Sequence, residues 1–181
     1  MKVYAFMADG LEEVECLTVV DLLRRVGVET VLTSINGKEI VTGAHGIRII
    51  ADAKIEDIQE SKEDLLFLPG GMPGTKHLAD CKLLVEKLLQ HDAEGGRIAA
   101  ICAAPTVLGS LGLLKGKHAV CYPGMEDGLT GAVKGTDRAI TDGNITTSRG
   151  VGTAIELGLE LIRILVDPET SDSLRTGIVA D

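Results

Sequence analysis

Polar and apolar positions along this chain of 181 residues switch repeatedly between two periods. Lys2–Met7, 29–35, Leu65–Leu68 and Arg97–Ile101 are short apolar runs of strand character, whereas 11–26, 83–91, 104–111 and 153–166 carry apolar residues at helical spacing. Shorter strand candidates lie at 39–41, 47–50 and 119–122. Asn36-Gly37 marks a turn, and Asp142-Gly143, between 139–141 and 144–147, marks a hairpin. Pro168 suits the first turn of a short final helix. Strands alternating with helices predict parallel βαβ units with right-handed crossovers. Leu65–Leu68 and residues 98–101 have no polar face, so they are expected to be central strands covered on both sides. The prediction is one α/β domain over residues 1–181, a three-layer sandwich around a mainly parallel sheet. Such sheets bind ligands outside the carboxyl ends of their strands. That rule selects three segments, 8–15, 69–74 and 102–106.

Composition narrows the partners. Apolar residues make up 45% of the chain, enough for a substantial core without disulfides or metals. Aromatics are 2% and Trp is absent, so that core is aliphatic. A net charge of −9 argues against nucleic acid and against anionic membranes as partners. Residues 98–114 form an uncharged stretch of 17 positions, close to a membrane span, but Pro105, Gly109 and Gly112 divide it into a buried strand and a helix. The strand-like Met1-Lys2-Val3-Tyr4-Ala5-Phe6 does not resemble a signal peptide. Cys16, Cys81, Cys102 and Cys121 form no C-x-x-C pair and no zinc spacing with histidine, so reduced thiols in the cytoplasm are expected.

One of these thiols stands out. The strand residues 97–101 run directly into Cys102, and Pro105 belongs in the first turn of the helix that follows. A sharp strand-to-helix turn presents its side chain at the sheet edge, as in a nucleophile elbow. A helix N-terminus contributes at most about 2 kcal/mol toward the thiolate, roughly one pKa unit, so full activation needs another group. On a wheel of about 100° per residue, Leu11, Val14, Thr18, Leu22 and Val26 make the inward stripe, with Glu15 in its middle and Glu12 and Glu13 outside it. A buried carboxyl is costly unless neutral or paired, and burial raises its pKa. Neutral Glu15 would donate to the sulfur; alternatively it pairs with Arg24 or Arg25. Gly70-Gly71 follows a buried strand, and its N–H groups would serve either as an oxyanion site or simply as a tight turn.

Four segments in this order resemble the ThiJ/PfpI family: Asp9-Gly10-Leu11-Glu12-Glu13-Val14-Glu15, Leu68-Pro69-Gly70-Gly71, Ala99-Ala100-Ile101-Cys102-Ala103-Ala104-Pro105 and Thr147-Ser148-Arg149-Gly150-Val151-Gly152-Thr153. The resemblance covers nearly the whole chain and is nearest to the subgroup of the parkinsonism-associated deglycase and its bacterial ThiJ (YajL-like) relatives. It implies a flavodoxin-like sandwich of the class I glutamine amidotransferase type, usually a homodimer. It further implies a nucleophile at Cys102, a hydrogen-bonded glutamate at Glu15, oxyanion donors at Gly71 and Ala103, and no cofactor. Family activities include cofactor-independent glyoxalase and protein deglycase on small aldehydes or glycated groups. Others are a stress-response redox chaperone whose cysteine becomes a sulfinate, and peptidase in the PfpI branch. That branch has His after its nucleophile, where this chain has Ala103. Tyr122 stands where the deglycase subgroup often has His, and Val151 beside Arg149 replaces a common Pro.

The remaining motifs carry less. His118 is expected at the far sheet edge, His91 at a helix end as a cation suited to the dipole, His77 near the Gly70 loop and His45 in a polar turn. Gly150-Val151-Gly152 lacks the third glycine of a dinucleotide fingerprint, and residues 112–117 fall one residue short of a P-loop. Cys16 and Cys121 are expected to be packing residues.

Overall fold

Period-two alternation along the strands divides the core in two. In the computed structural model, which describes residues 1–180, Val3, Ala5 and Met7 of β1 (Lys2–Met7) face one apolar cluster, and Tyr4 and Phe6 face the other. The first cluster is closed by α1 (Glu13–Arg25), α5 (Ala154–Leu165) and α6 (Pro168–Gly177). The second is closed by α2 (Gly74–Asp80), α3 (Lys82–Ala93) and α4 (Pro105–Ser110). Between them lies a seven-stranded sheet. Besides β1 it contains β2 (Glu29–Ser34), β5 (Ala53–Lys54), β6 (Leu65–Leu68), β7 (Arg97–Ile101), β10 (Ala139–Asp142) and β11 (Ile145–Ser148). Their order is β10-β11-β7-β6-β1-β2-β5, parallel throughout except for the antiparallel β10–β11 edge. This is the expected flavodoxin-like three-layer sandwich.

The uncharged stretch 98–114 divides into β7 and α4, as its proline and glycines require, and among the described residues no helix is long and apolar enough to cross a membrane. Two elements differ from expectation. Residues 119–122 do not join the main sheet. Instead β8 (His118–Ala119) pairs with β9 (Val133–Lys134), a strand of two exposed residues with no apolar pattern. The segment is still tied to the main sheet, through Val120 N–H to Thr147 Oγ1 at 3.0 Å and Tyr122 N–H to the Cys102 carbonyl at 2.8 Å. Residues 39–41 and 47–50 form a hairpin apart from the sheet, β3 (Ile40–Thr42) with β4 (Arg48–Ile50).

The inward stripe of α1 is also corrected. Val14 is 48% exposed, while Glu13, Glu15, Cys16, Val19, Val20, Leu22 and Leu23 are buried. The helix begins at Glu13, so Leu11 is buried in the preceding loop and is the wrong origin for a wheel. Glu13, expected outside, accepts N–H groups from His45 (2.8 Å) and Ile47 (3.3 Å) and meets the His45 ring at 2.9 Å, which holds the β3–β4 loop on α1. Burial raises the Glu13 carboxyl, but the hydrogen bonds from His45 and Ile47 outweigh it and hold the group below its ordinary range.

Candidate functional site

Three loops meet at the carboxyl edge of β1, β6 and β7. The turn after β7 places Cys102 at φ +64°, in the left-handed region that non-glycine residues avoid. Holding it there costs on the order of 1–3 kcal/mol and needs bracing. The brace is on both sides: Cys102 N–H donates to the Ser148 carbonyl at 3.0 Å, and its carbonyl accepts from Tyr122. The sequence thus forms the expected elbow, with small Ala103 and Ala104 inside the turn.

Glu15, in the first turn of α1, is fully buried beside the sulfur and hydrogen-bonds with it. Oε2 accepts the Gly70 N–H at 3.0 Å, while Oε1 is buried with no hydrogen-bond partner. Arg24 and Arg25 bond elsewhere, to Thr30 and Asp52 and to Asp21, so the alternative ion pair does not form. Gly70 has no room for a side chain. A Cβ there would lie 2.5 Å from Cys102 Cβ and 2.6 Å from Glu15 Oε2. Its N–H is committed to the carboxyl, which leaves Gly71 and Ala103 as the amides that hydrogen-bond the sulfur. Gly71 is required twice over, by φ +91° and by backbone of Glu12 2.2 Å from its absent Cβ.

Electrostatics revise the picture of a thiolate made by a helix end. Burial pushes the Glu15 carboxyl up to about 7, against the opposing hydrogen bonds to Cys102 and Gly70. Burial likewise pushes the Cys102 thiol up to about 12, the Glu15 charge and hydrogen bond add to this, and the Gly71 and Ala103 amides oppose it. α4 is only six residues long, too short a helix to dominate. The two groups therefore titrate as a pair. Between pH about 7 and about 12 the pair holds one proton.

A cavity of about 580 Å³ opens over the sulfur, lined by Glu12, Glu15, Gly71, Tyr122, Arg149 and the 150–153 loop among others. Gly150 leaves space for Tyr122, whose ring carbon would be 3.4 Å from a Cβ there. Arg138 also lines the cavity and was missed from sequence. Its signal was the hairpin: antiparallel β10 begins opposite Ser148, so the residue before it returns to the edge where Cys102 lies.

No histidine lines this cavity. His77 lies at a separate hollow with Asp9, Lys38 and Cys81, and His118 meets Asp142. His91 lies in the last turn of α3, as expected, but its ring is buried. It is 3% exposed, with Nε2 at 3.1 Å and 3.2 Å from the Asp64 and Arg97 carbonyls. Cys16 and Cys121 are buried, with burial pushing their thiols up to about 12 and about 11. Glu12, Glu13 and His45 bring ligand atoms within 4.8 Å of one another, yet both Glu13 oxygens are already hydrogen-bonded.

Comparison with known proteins agrees with this geometry. The chain is 39% identical over 170 residues to the protein DJ-1 homolog B of Arabidopsis thaliana, covering 93% of this chain but 39% of the relative, so it spans about two fifths of that protein's length. It is 36% identical to a Caenorhabditis elegans protein named glutathione-independent glyoxalase DJR-1.2, covering 92% of this chain and 89% of the other. The structure of oxidized Toxoplasma gondii DJ-1 superposes with a TM-score of 0.93 at 36% identity, covering 98% and 97% of the two chains. Residues 1–164 match the DJ-1/PfpI family, and the chain belongs to that family.

Proposed function

We propose that this protein converts small reactive aldehydes through Cys102 and Glu15, without a cofactor, as a glyoxalase or deglycase does. The observation that carries this is a cysteine at a strained elbow, hydrogen-bonded to a buried carboxyl of pKa about 7 and to two backbone amides, at the floor of an open cavity. A family relative named as a glutathione-independent glyoxalase supports it.

The chemistry needs one nucleophile and one proton carrier. With methylglyoxal, Cys102 Sγ passes its proton to Glu15 and adds to the aldehyde carbon. The resulting oxyanion lies against the Gly71 and Ala103 amides. Glu15 returns its proton to that oxyanion, giving the hemithioacetal, and as a carboxylate then takes the proton from the same carbon and delivers it, through an enediol, to the neighbouring carbonyl carbon, giving the thioester of lactate. Water cleaves the thioester, releasing lactate and the thiol. Methylglyoxal plus water becomes lactate, an internal redox change with no external oxidant. The same addition to a glycated side chain would release the amine. Purified protein is expected to form lactate from methylglyoxal at a rate lost in Cys102→Ala; equal rates in the two would end this reading.

A second reading is a redox sensor or chaperone, in which peroxide takes Cys102 to a sulfinate. It is favoured by the same two amides and by Glu15 Oε1, which is buried without a hydrogen-bond partner. A gain of two oxygens in intact mass under mild peroxide, absent from Cys102→Ser, together with no lactate, selects it. Peptidase action lacks its base, since Ala103 follows the nucleophile and no histidine lines the cavity. The site is read as cytoplasmic.

A homodimer completes the proposal. Val14, Leu17, Val151 and Ile155 are 48%, 37%, 48% and 40% exposed, on the N-terminal half of α1, in the turn before α5 and at the start of α5. Sedimentation equilibrium is expected to give the mass of two chains, falling toward one in Val14→Glu. A wild-type mass of one chain at micromolar concentration would exclude it.

A further inference from the structure

The cavity over Cys102 brings together groups of different chemistry. The sulfur, buried Glu15 and Gly71 line it, and so do Arg138, Arg149, half-exposed Tyr122 and the 150–153 loop. The two arginines are not equivalent. Arg138 Nε donates to Glu156 Oε1 at 2.6 Å and its NH2 to the Gly152 carbonyl at 2.6 Å, so its charge is answered within the wall. Arg149 makes a single long contact, NH1 to the Thr136 carbonyl at 3.4 Å. Among the described residues no carboxylate lies within 4.0 Å of its guanidinium.

The acids of the cavity do not cancel that charge. Glu12 Oε1 caps the Val14 N–H at 3.3 Å, and Oε2 faces His45 Nδ1 at 3.6 Å. Glu15 is committed to Gly70 and Cys102. The Arg149 charge is felt at Cys121, which precedes Tyr122, whereas the charge that acts most on Cys102 is that of Glu15. Arg149 and the sulfur line the same cavity, so one ligand can face both. A guanidinium presents N–H donors in a planar fork that fits a carboxylate through two parallel hydrogen bonds.

We propose that Arg149 forms an anion subsite, and that the preferred substrates are 2-oxoaldehydes whose other end carries a carboxylate. The aldehyde meets Cys102 and the carboxylate meets Arg149. Such a compound is 4,5-dioxopentanoate, which the same internal hydrogen transfer plus water turns into 2-hydroxyglutarate. The claim about substrates rests on the aldehyde chemistry proposed above; the subsite itself does not.

Two experiments keep them apart. In the first, Cys102 is alkylated at pH 8 with 3-maleimidopropionate and with N-ethylmaleimide, and adducts are followed by peptide mass spectrometry. The ratio of the charged to the uncharged rate is expected to be about tenfold or more higher in wild type than in Arg149→Gln, the scale of a hydrogen bond to a charged group. In wild type alone, that ratio is expected to fall as sodium chloride rises from 0.05 to 0.5 M. A ratio that neither salt nor Arg149→Gln changes overturns the subsite. In the second, kcat/KM is compared for 4,5-dioxopentanoate and methylglyoxal. A preference for the carboxylated substrate of about tenfold, lost in Arg149→Gln, supports the substrate class, and equal values in wild type reject it. A maleimide preference with neither oxoaldehyde converted leaves the subsite standing and removes the glyoxalase reading.

Discussion

Aldehyde conversion is expected to rise about a hundredfold between pH 5 and pH 8 and then level, and Glu15→Gln is expected to abolish this rise along with most of the activity. The active pair holds one proton, shared by Glu15 and Cys102. Below pH about 7 it holds two, because burial raises the carboxyl, and a thiol beside a neutral carboxylic acid has no acceptor for its proton. Each unit below that point removes a factor of about ten from the competent fraction, and the next deprotonation lies near the thiol value of about 12. Gln keeps the shape and can accept the Gly70 N–H, but it cannot take a proton. Its kcat/KM for methylglyoxal should fall by roughly 10² to 10⁴, the usual worth of a positioned acid–base group. Initial rates from pH 5 to 9 for both proteins test this. A flat wild-type profile, or a Glu15→Gln enzyme near wild-type rate, would show that the carboxyl carries no proton in the reaction.

The same pair shows what the sequence could and could not reveal. The architecture was legible because β6 and residues 98–101 of β7 are apolar on every residue and alternate with helical segments, which a doubly covered parallel sheet accommodates. The elbow was legible because a buried strand, one cysteine and a helix-starting proline leave the chain little choice. Burial of Glu15 was predicted, but the reason was faulty. The wheel was phased on Leu11, two residues before the helix begins, and so it buried Val14 and exposed Glu13. A helix start set by Glu12 capping the Val14 N–H is a matter of backbone geometry, not of apolar period.

Long-range pairing was harder to read. Arg138 reaches the cavity through strand register, and β9 has two exposed residues and no pattern at all. His91 shows the same limit. Its place at the end of α3 was legible but its burial was not: a Cβ on Gly96 would lie 2.3 Å from its Nε2, so a glycine five residues on lets the ring turn inward. None of these is a local property of the sequence around the residue concerned.

Glu15→Gln is also expected to stabilise the fold, and only at neutral and alkaline pH. The folded carboxyl has a pKa of about 7, against an ordinary value of 4.5. Between those two values the folded chain holds a proton that the unfolded chain has released. Stability therefore falls as pH rises through that window, by about 1.4 kcal/mol per unit. The loss totals about 3 kcal/mol above pH 7 and vanishes below pH 4.5. Gln is neutral throughout and escapes it. Urea denaturation should therefore find Glu15→Gln more stable than wild type by about 2–3 kcal/mol at pH 8 and nearly equal at pH 4. Depressed carboxyls such as Asp9 and Glu13 act with the opposite sign and at lower pH, and they cancel in the comparison. Equal stability of the two proteins at pH 8 would mean that Glu15 is ionised without penalty, and the acid–base role would lose its physical basis. The expected result instead makes the carboxyl a group kept at a cost to the fold, since a solvated glutamate of ordinary pKa could not hold the proton that the sulfur must give up.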